Sequence, residues 1–322
     1  MGNHTVLVLA SDLADPELKL LAELPEECSL AVGNSVEAFE RLAEDATVIF
    51  SWSVGGKLLR DVFAMCPKVR WVHSRAAGLD TVLFPALIES EVPLTNGRGV
   101  FSQSLGEFAL GAILYFAKDL RRMVANQEAG RWEAFDIVEI AGQTVGIVGY
   151  GDIGHAVAKR VHPMGMHVLA LKRHAAKAAD PLLERTYAPS ERLEMISRCD
   201  YIVASAPLTP ETRGMIGEAE FAAMKPTAVV VNIGRGPVID EAAMVRALTE
   251  GRIKGAALDV FDTEPLPAGH PFWTLKNVLI SPHCADHTPD WMEQAMRFFL
   301  AQFQRFEAGE PLHNVVEKRR GY

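Results

Sequence analysis

The sequence predicts an α/β protein built from two doubly wound parallel sheets. Two observations support this prediction. Residues 5–73 alternate short apolar runs with helix-like segments, and residues 144–281 repeat the alternation after a glycine-rich turn. Alternating units of this kind form parallel sheets with helices on both faces. A length of 322 residues also suffices for two domains of ordinary size.

The apolar runs of the first hundred residues are each short enough for one strand. They predict strands at residues 5–10, 29–32, 48–52 and 68–73, separated by helices at 16–23, 36–44 and 57–65. The loop at residues 74–80 follows the carboxyl end of the fourth strand, which is the edge where parallel sheets bind ligands. The same loop is equally compatible with a plain connection between strand and helix.

A long helical pattern at residues 103–130 precedes the second set of units. Its first half is apolar nearly all round, which argues for burial against more than one surface. We therefore expect one helix that acts as an interdomain element or a dimer contact, with a plain core helix as the alternative.

Composition and charge exclude several classes of function. The formal net charge of −9 argues against nucleic acid or an anionic membrane as a partner. The longest apolar run, residues 108–117, is too short to span a bilayer, and the first residues lack the features of a signal peptide. The four cysteines show no C-x-x-C spacing, so we expect no metal site and a reduced, cytoplasmic setting.

The stretch TVGIVGYGDIG at residues 144–154 has the form G-x-G-x-x-G between a strand pattern and a helical one. Such glycines allow a tight turn, a close backbone approach to a pyrophosphate and close packing of helix on strand, and the start of the helix offers N–H groups to the anion. The pattern predicts a Rossmann-like dinucleotide-binding domain, although glycines alone also serve turns that bind nothing. The predicted contact residues are Gly149, Tyr150, Gly151, Asp152, Ile153 and Gly154.

The end of the next predicted strand, residues 167–171, bears on which dinucleotide binds. NAD-binding domains usually carry an acid here that accepts hydrogen bonds from the ribose. This chain continues with Lys172, Arg173 and His174, and the next acid is Asp180. Two cations without a carboxylate suit a 2′-phosphate, so we predict NADP as the preferred cofactor, with NAD possible. A solvated basic strand end is the alternative.

Four further strands complete the second set. They are predicted at residues 201–204, 228–232, 255–260 and 277–281, with helices at 218–224, 240–250 and 290–308. Asp240 is the expected cap of the second of these helices. Pro207 follows the first of these strands, and the loop after it can cover the cofactor.

Arg235, Glu264 and His283 follow the carboxyl ends of consecutive strands in this set, so all three can reach the edge where a nicotinamide ring would lie. Arg235 offers a planar, bidentate partner for the carboxylate of a 2-oxo acid. His283 belongs to a residue type that titrates near neutral pH, and it can give a proton to the carbonyl oxygen as hydride reaches the carbon. A carboxylate at Glu264 would orient that ring and favour its protonated form.

Each of these residues also has a purely structural interpretation. Arg235 could form an ion pair, Glu264 could stand in a turn before Pro265, and His283 could be an ordinary loop histidine. Their joint occurrence after one glycine loop favours catalysis by hydride transfer.

These motifs resemble the D-isomer-specific 2-hydroxyacid dehydrogenases, which include glyoxylate/hydroxypyruvate reductases, D-lactate dehydrogenases and phosphoglycerate dehydrogenases. The resemblance covers nearly the whole chain through AAGLD, LGEFALGAIL, GQTVGIVGYGDIGHAVAKR, PLTPETRGMI, VVNIGRGPVIDEAAMVRAL, GAALDVFDTEPLP and NVLISPHCA. It implies that Arg235, Glu264 and His283 form the catalytic set. It further implies substrate contacts by the backbone of Ala77 and Gly78 together with Arg235, and cofactor contacts by Pro207, Thr212, Ile233, Asp259 and His283.

The resemblance also implies a domain organisation. Residues 1–99 and 287–322 would form a discontinuous substrate domain, residues 100–286 would form the Rossmann domain, and the active site would lie in the cleft between them. It implies a homodimer joined through the nucleotide domains. Asp286 departs from the family, which often has glycine there, and Glu264 argues against formate dehydrogenase activity, which goes with glutamine.

Two functions from different classes remain. The first is an oxidoreductase that transfers hydride between NAD(P)H and a small 2-oxo acid, with NADPH-preferring glyoxylate/hydroxypyruvate reductase as the best candidate. The second is a dinucleotide-sensing binding protein with little turnover, similar to dehydrogenase-like corepressors. Loops near Trp52, Arg75 and Trp132 are expected to set substrate preference. Arg75 could be a second ligand for a carboxylate or a phosphate, but it is interpreted as a surface cation. Cys284 is interpreted as a small buried residue.

Overall fold

The structure is a computed structural model that describes residues 4–53, 55–173 and 180–321. Contacts divide the chain into two compact units. The first unit comprises Met1–Phe101 and Thr288–Tyr322, and the second comprises Ser102–His287. The divisions expected from the sequence fall after residues 99 and 286, and the ligand that each unit binds stays a prediction.

The following elements lie within the described ranges. The strands are β1 (Thr5–Leu9), β2 (Ser29–Gly33), β3 (Val48–Ser51), β4 (Trp71–Ser74), β5 (Leu94–Asn96), β6 (Thr144–Val148), β7 (His167–Leu171), β8 (Arg185–Tyr187), β9 (Tyr201–Ala204), β10 (Val229–Asn232), β11 (Gly255–Leu258) and β12 (Val278–Ile280). The α-helices are α1 (Glu40–Ala43), α2 (Gly56–Ala64), α3 (Pro85–Glu89), α4 (Ser102–Ala117), α5 (Leu120–Glu128), α6 (Asp152–Val161), α7 (Arg192–Arg198), α8 (Glu218–Ala223), α9 (Glu241–Thr249) and α10 (Trp291–Glu307).

The first unit is built on a five-stranded parallel sheet in the order β2-β1-β3-β4-β5. Strands β1, β3 and β4 are buried along their whole length, so their sequences are mostly apolar and do not alternate; the polar exceptions are Thr5, Ser51, His73 and Ser74. Helix α10 packs on this sheet through aromatic contacts. Phe299 stacks on Phe50 with 4.0 Å between ring centroids, and its ring lies 5.5 Å from that of Trp71.

Some predictions for the first unit are wrong in detail. The helix expected at residues 36–44 forms only the short helix α1, because Phe39 is fully buried and its amide closes a turn on the Val36 carbonyl instead. Residues 16–23 form a 3₁₀ helix rather than an α-helix. Strand β5 is missing from the predicted set, since three residues are too few to show a period.

His73 of β4 is fully buried among aromatic rings. Trp71 Nε1 donates to Thr95 Oγ1 (2.8 Å), and that hydroxyl lies 2.7 Å from His73 Nδ1. His73 Nε2 has no hydrogen-bond partner in the described ranges. Burial lowers the pKa of His73 to about 3, so the ring stays neutral.

We expect His73 to make stability depend on pH. The folded protein keeps the ring neutral down to about pH 3, whereas the unfolded chain takes up the proton near pH 6.5. The free energy of unfolding should therefore fall as the pH drops from 6.5 towards 3, by about 2 kcal/mol between pH 7 and pH 5 from this residue. The free energy of unfolding of His73→Gln, measured by urea, should not show this part of the fall between pH 7 and pH 5. The control variant His313→Gln, at an exposed site, should show the same fall as wild type. Equal pH slopes for His73→Gln and wild type would contradict the assignment.

The second unit is built on a seven-stranded parallel sheet in the order β12-β11-β10-β9-β6-β7-β8. The strand order reverses between β6 and β9, which is the position where doubly wound sheets bind ligands. Because the strands are parallel, the loops after β6, β7, β9, β10, β11 and β12 meet at one edge. The predicted α/β fold with two parallel sheets is confirmed.

The single helix predicted at residues 103–130 is wrong, because the structure divides it into α4 and α5. The division falls at Asp119, whose φ of 47° lies in the left-handed region that aspartate tolerates better than most residues. Helix α4 packs closely on α6, since a Cβ at Gly106 would lie 2.9 Å from the Ala156 backbone. Leu110 and Leu114 of the same helix are partly exposed.

The described residues form no membrane-spanning helix and no metal-binding cluster, and their cysteines are unpaired. Among the helices of the described ranges, none combines the length and apolar character that crossing a membrane requires. Within the same ranges, no group of three or more His, Cys, Asp or Glu side chains is placed to hold a metal ion. The four cysteines are free thiols, and burial raises the pKa of both Cys66 and Cys199 to about 12.

Candidate active site

The glycine-rich loop joins β6 to α6, and its glycines have different structural causes. Gly149 has a φ of 93°, and a Cβ there would lie 2.5 Å from the backbone of Ala206. A Cβ at Gly154 would lie 2.5 Å from the carbonyl oxygen of Gly149. Packing therefore demands both glycines. A Cβ at Gly151, in contrast, would meet no protein atom within 4 Å.

The open space at Gly151 fits the close approach of a ligand. Gly151 is the N-cap of α6, and no side chain caps this helix. The first-turn amides of an uncapped helix are available to an anion. Tyr150, Asp152 and Ile153 are exposed or partly exposed beside this turn. The loop therefore suits a dinucleotide pyrophosphate at the start of α6.

Lys172 and Arg173 follow β7, and His174 lies outside the described residues. The ammonium of Lys172 lies 4.6 Å from the centroid of the Tyr150 ring, and the Tyr150 hydroxyl donates to Asp180 Oδ2 (2.9 Å). Asp180 is distant from β7 in the sequence. In the structure it lies beside the glycine loop, because it accepts this hydrogen bond from Tyr150.

Asp180 is held as a carboxylate at this position. Burial alone would raise its pKa, but hydrogen bonds from the Leu182 amide (3.0 Å) and from Tyr150, with His155 and Lys172 nearby, lower it. Burial, together with the hydrogen bond to Asp180, raises the pKa of Tyr150. A cation and a carboxylate therefore share this end of the sheet. The cation suits a 2′-phosphate, and the carboxylate suits ribose hydroxyls.

The loops after β9 and β10 contain the other predicted cofactor contacts. Thr212 Oγ1 donates to the Pro207 carbonyl (2.6 Å) and accepts from the Thr209 amide (2.8 Å), so this hydroxyl fixes its own loop. Ile233 is buried, and its amide donates to the Ala204 carbonyl (3.0 Å). These residues shape the loops, and their contact with a cofactor stays a prediction.

Arg235 stands in the turn after β10, and its neighbours fix the backbone there. Asn232 Oδ1 accepts the Gly234 amide (3.1 Å), and Asn232 Nδ2 donates to the Arg235 carbonyl (3.2 Å). A Cβ at Gly236 would overlap the Phe261 carbonyl group, so only glycine lets this turn pack against the loop after β11. Arg235 Nη1 donates to the Gly234 carbonyl (2.8 Å).

Glu264 and His283 form a hydrogen-bonded pair. His283 Nδ1 lies 2.6 Å from Glu264 Oε2, while Glu264 Oε1 accepts the Phe261 amide (2.9 Å). An ionised carboxylate only accepts, so Nδ1 carries a proton and Nε2 is the nitrogen that can exchange a proton with a ligand. The His283 side chain is 44% exposed, which leaves it accessible to a small molecule.

Asp259 organises the loop that carries His283. It is 2% exposed, and its Oδ1 accepts from Ser281 Oγ (2.6 Å), the Cys284 amide (2.9 Å) and the Ala285 amide (3.1 Å). Its carbonyl accepts the His283 amide (2.9 Å). These bonds hold His283 at a φ of 52°, a left-handed conformation that non-glycine residues seldom adopt. Sequence reasoning assigned Asp259 only to the cofactor and missed this positioning role.

Cys284 and Asp286 lie close to His283 in the sequence. The exposure of Cys284 differs from the prediction, and Asp286 adds a carboxyl group. Cys284 is exposed, so its interpretation as a buried residue is wrong: its amide turns towards Asp259 and its thiol stays at the surface, 3.4 Å from Ser281 Oγ. Burial raises the pKa of Asp286, and Asp259 acts in the same direction, while His287 and His283 oppose it.

Ala77 and Gly78, the other predicted substrate contacts, follow β4 in the first unit. Asn96 Nδ2 donates to the Ala77 carbonyl (2.7 Å). A Cβ at Gly97 would overlap the Arg75 carbonyl oxygen, so the backbone of this loop packs directly on the residues after β5. The loop is therefore fixed in place, and its contact with a ligand stays a prediction.

Comparison with known proteins gives a consistent set of relatives. A family model described as D-isomer specific 2-hydroxyacid dehydrogenase, NAD binding domain, matches residues 110–285. A D-3-phosphoglycerate dehydrogenase of Methanocaldococcus jannaschii is 33% identical over 97% of this chain, and the match spans 59% of that relative's length. A glyoxylate reductase of Thermococcus gammatolerans is 34% identical over 80% of this chain and 79% of its own. The crystal structure of an NADPH-dependent glyoxylate/hydroxypyruvate reductase of Sinorhizobium meliloti, in complex with NADP and sulfate, has a TM-score of 0.85 at 28% identity, covering 99% of this chain and 100% of that one.

The chain belongs to the D-isomer specific 2-hydroxyacid dehydrogenase family, and the resemblance seen in its motifs is confirmed. This is a family of NAD(P)-dependent oxidoreductases that act on small 2-oxo and 2-hydroxy acids. The cofactor class that goes with the glycine loop of the second unit is therefore a nicotinamide dinucleotide.

Proposed function

We propose that this protein is an NADPH-preferring reductase of small 2-oxo acids, with glyoxylate or hydroxypyruvate as its substrate. The observation that carries the proposal is the 2.6 Å contact of His283 Nδ1 with Glu264 Oε2, at the sheet edge that also carries the glycine loop. Reductases of these two substrates among the relatives support it. The phosphoglycerate dehydrogenase relative supports the wider substrate class.

The residues of the chain divide the proposed chemistry between them. Bound NADPH would supply the hydride that reaches the carbonyl carbon. His283 donates the proton that the carbonyl oxygen needs, which yields a 2-hydroxy acid, and Glu264 fixes the ring so that Nε2 is the donor. Arg235 is the proposed carboxylate ligand of the second unit, and the amides of Ala77 and Gly78 are those of the first.

The test is the loss of absorbance at the reduced-nicotinamide band, with NADPH and NADH in parallel. Glyoxylate, hydroxypyruvate, pyruvate and a bulky aromatic 2-oxo acid form the panel. Fast turnover of glyoxylate or hydroxypyruvate with NADPH is the expected result. Tight dinucleotide binding with negligible turnover across the panel would instead favour the alternative, a dinucleotide-sensing binding protein.

We predict that Lys172→Asp combined with Arg173→Ala shifts preference towards NADH. The change removes both cations after β7 and adds a charge that repels a 2′-phosphate, so the kcat/KM ratio of NADPH over NADH should fall at least about tenfold. Arg185→Ala is the matched control, because it removes a cation from β8 that lies 4.2 Å from the Tyr187 ring. An unchanged ratio in the double variant would mean that Asp180, rather than the two cations, governs ribose recognition.

A homodimer formed through the second unit is also proposed. Segment 120–138 exposes large apolar side chains, which marks an association surface in a folded protein. They are Leu120, Met123, Val124, Trp132, Ile137 and Val138. Sedimentation velocity should give twice the chain mass of 35.2 kDa, and a monomer at micromolar concentration would count against this interface.

A cytoplasmic location is proposed on the basis of the thiols. All four cysteines are unpaired, as reducing compartments maintain them. The test is to measure the reductase activity in each fraction after cell fractionation. The activity should be found in the cytoplasmic fraction.

A further inference from the structure

Arg75 directly follows β4, and its guanidinium contacts two tryptophans of the first unit. Its Cζ lies over the ring of Trp52 and over the ring of Trp291, 4.9 Å from each centroid, and Nη1 contacts Met292 Sδ. The Arg75 amide donates to the Ser51 carbonyl (3.0 Å), which places the residue at the carboxyl edge of the sheet. Arg75, interpreted from the sequence as a surface cation, is half-buried between these rings. We call Trp52, Arg75 and Trp291 the Arg75 cluster.

The two indoles of the cluster are themselves held in place. Trp52 is 1% exposed, and its Nε1 donates to Asp15 Oδ2 (2.8 Å). Trp291 begins α10 and packs against the Phe101 ring with 6.0 Å between centroids. Rings fixed in this way orient the guanidinium plane, whose N–H donors all lie at its edge. The cation–π contacts also stabilise positive charge in a partly desolvated position.

Packing alone does not explain an arginine at this position. Methionine or leucine would cover two indole rings without the cost of desolvating a charge. A guanidinium adds a permanent positive charge and a fork of donors that matches a carboxylate or a phosphate. The cluster therefore has the chemistry of an anion ligand as well as that of a packed side chain.

The same loop carries the proposed ligands of the substrate's 1-carboxylate. Ala77 and Gly78 lie two and three residues after Arg75, and the loop backbone is fixed from β5 by Asn96 and Gly97. One short, rigid loop thus offers two positions for anions, one made of amides and one of a side chain. This arrangement matches a small substrate with an anionic group at each end.

We propose that Arg75 binds the distal anionic group of the substrate, a carboxylate or a phosphate, and that the Arg75 cluster makes the protein prefer dianionic 2-oxo acids over neutral-tailed ones of the same size. This inference rests on the proposed reduction of 2-oxo acids and extends its substrates to larger acids that carry a distal anionic group. Glyoxylate and hydroxypyruvate are then minimal substrates that leave the distal position unused.

The test compares substrates in matched pairs. 2-Oxosuccinate and 4-methyl-2-oxopentanoate share their branching and differ in the distal carboxylate, and 3-phosphohydroxypyruvate and hydroxypyruvate differ in the phosphate. Wild type should have a higher kcat/KM for the substrate with the distal anion in one of the two pairs. The pair that shows this preference identifies the distal group as a carboxylate or a phosphate. Arg75→Met should reduce that kcat/KM preference roughly 30-fold. Because both rates come from one preparation, loss of folded protein cancels in the ratio.

Arg70→Met is the matched control. Arg70 lies just before β4, and its Cζ lies 5.2 Å from the Phe306 ring, so this variant also removes a ring-stacked arginine of the first unit. It should leave the preference at the wild-type value. A similar loss of preference in Arg70→Met would show a structural effect and overturn the assignment to Arg75.

The outcomes separate this inference from the proposed function. Reduction of glyoxylate with equal kcat/KM for both members of each pair would overturn the anion position and leave the reductase function standing. If no 2-oxo acid is reduced, the reductase function fails, and calorimetric titration of D-2-hydroxysuccinate with NADP present decides the anion position. Binding that weakens in Arg75→Met supports it, and binding that is absent or unaffected overturns it.

Discussion

Replacing His283 by asparagine should lower kcat for 2-oxo acid reduction about a thousandfold, while the variant still binds the cofactor. The imidazole is the proposed proton donor, and asparagine offers no group that titrates in its place. Asparagine is the suitable replacement because it tolerates the left-handed φ of 52° at this position. Stopped-flow measurement of NADPH oxidation gives kcat, and nicotinamide fluorescence gives the dissociation constant of the cofactor.

The control for this experiment is a second His–Glu pair at the opposite edge of the same sheet. His167 begins β7, and its Nδ1 lies 2.9 Å from Glu184 Oε2. His167→Asn removes the same groups at similar exposure and should leave kcat within about twofold. If His283→Asn retained wild-type turnover, His283 would have no part in the mechanism.

Replacing Arg235 by glutamine should lower kcat/KM roughly a hundredfold, mainly through KM. The guanidinium is the proposed ligand of the substrate carboxylate, and glutamine keeps a donor but loses both the charge and the fork. The turn itself should survive, because Asn232 and Gly236 fix its backbone rather than the Arg235 side chain. Initial rates over a range of glyoxylate concentrations separate KM from kcat.

Two further variants serve as controls for the Arg235→Gln experiment. Arg235→Lys restores the charge without the bidentate geometry, so it should recover part of the loss. Arg252→Gln removes an arginine that pairs with Glu218 and Glu250 on the same unit, and it should leave KM unchanged. A KM for Arg235→Gln equal to that of wild type would remove Arg235 from substrate binding.

Features that depend on one strand and the loop directly after it could be predicted from the sequence. Strand β10 lies within one residue of its predicted bounds, since a strand buried on both faces has a nearly continuous apolar sequence. Parallel strands end at a common edge, so the positions of Arg235, Glu264 and His283 followed from the strand assignment alone. The cap at Asp240 follows equally from local chemistry, and its Oδ1 accepts the Ala243 amide at 2.9 Å.

Contacts between loops distant in sequence could not be predicted in this way. The partners of Asp259 lie 22 to 26 residues away, and Asp180 meets Tyr150 across 30 residues. No periodic pattern encodes such pairs, because they depend on how neighbouring loops pack. The helix break at Asp119 was missed for a different reason: a single residue in the left-handed region leaves the apolar period on both sides intact.

In the proposed site, the fixed backbone after β4 would separate two kinds of recognition in one loop. The amides of Ala77 and Gly78 are set by Asn96 and by the close packing at Gly97, whereas the side chain at position 75 is set by the rings around it. If both proposed roles hold, relatives with another residue at position 75 should accept tails of another shape and still recognise the carboxylate common to all 2-oxo acids. We expect relatives to retain Gly97, because any side chain there would displace the loop backbone at Arg75.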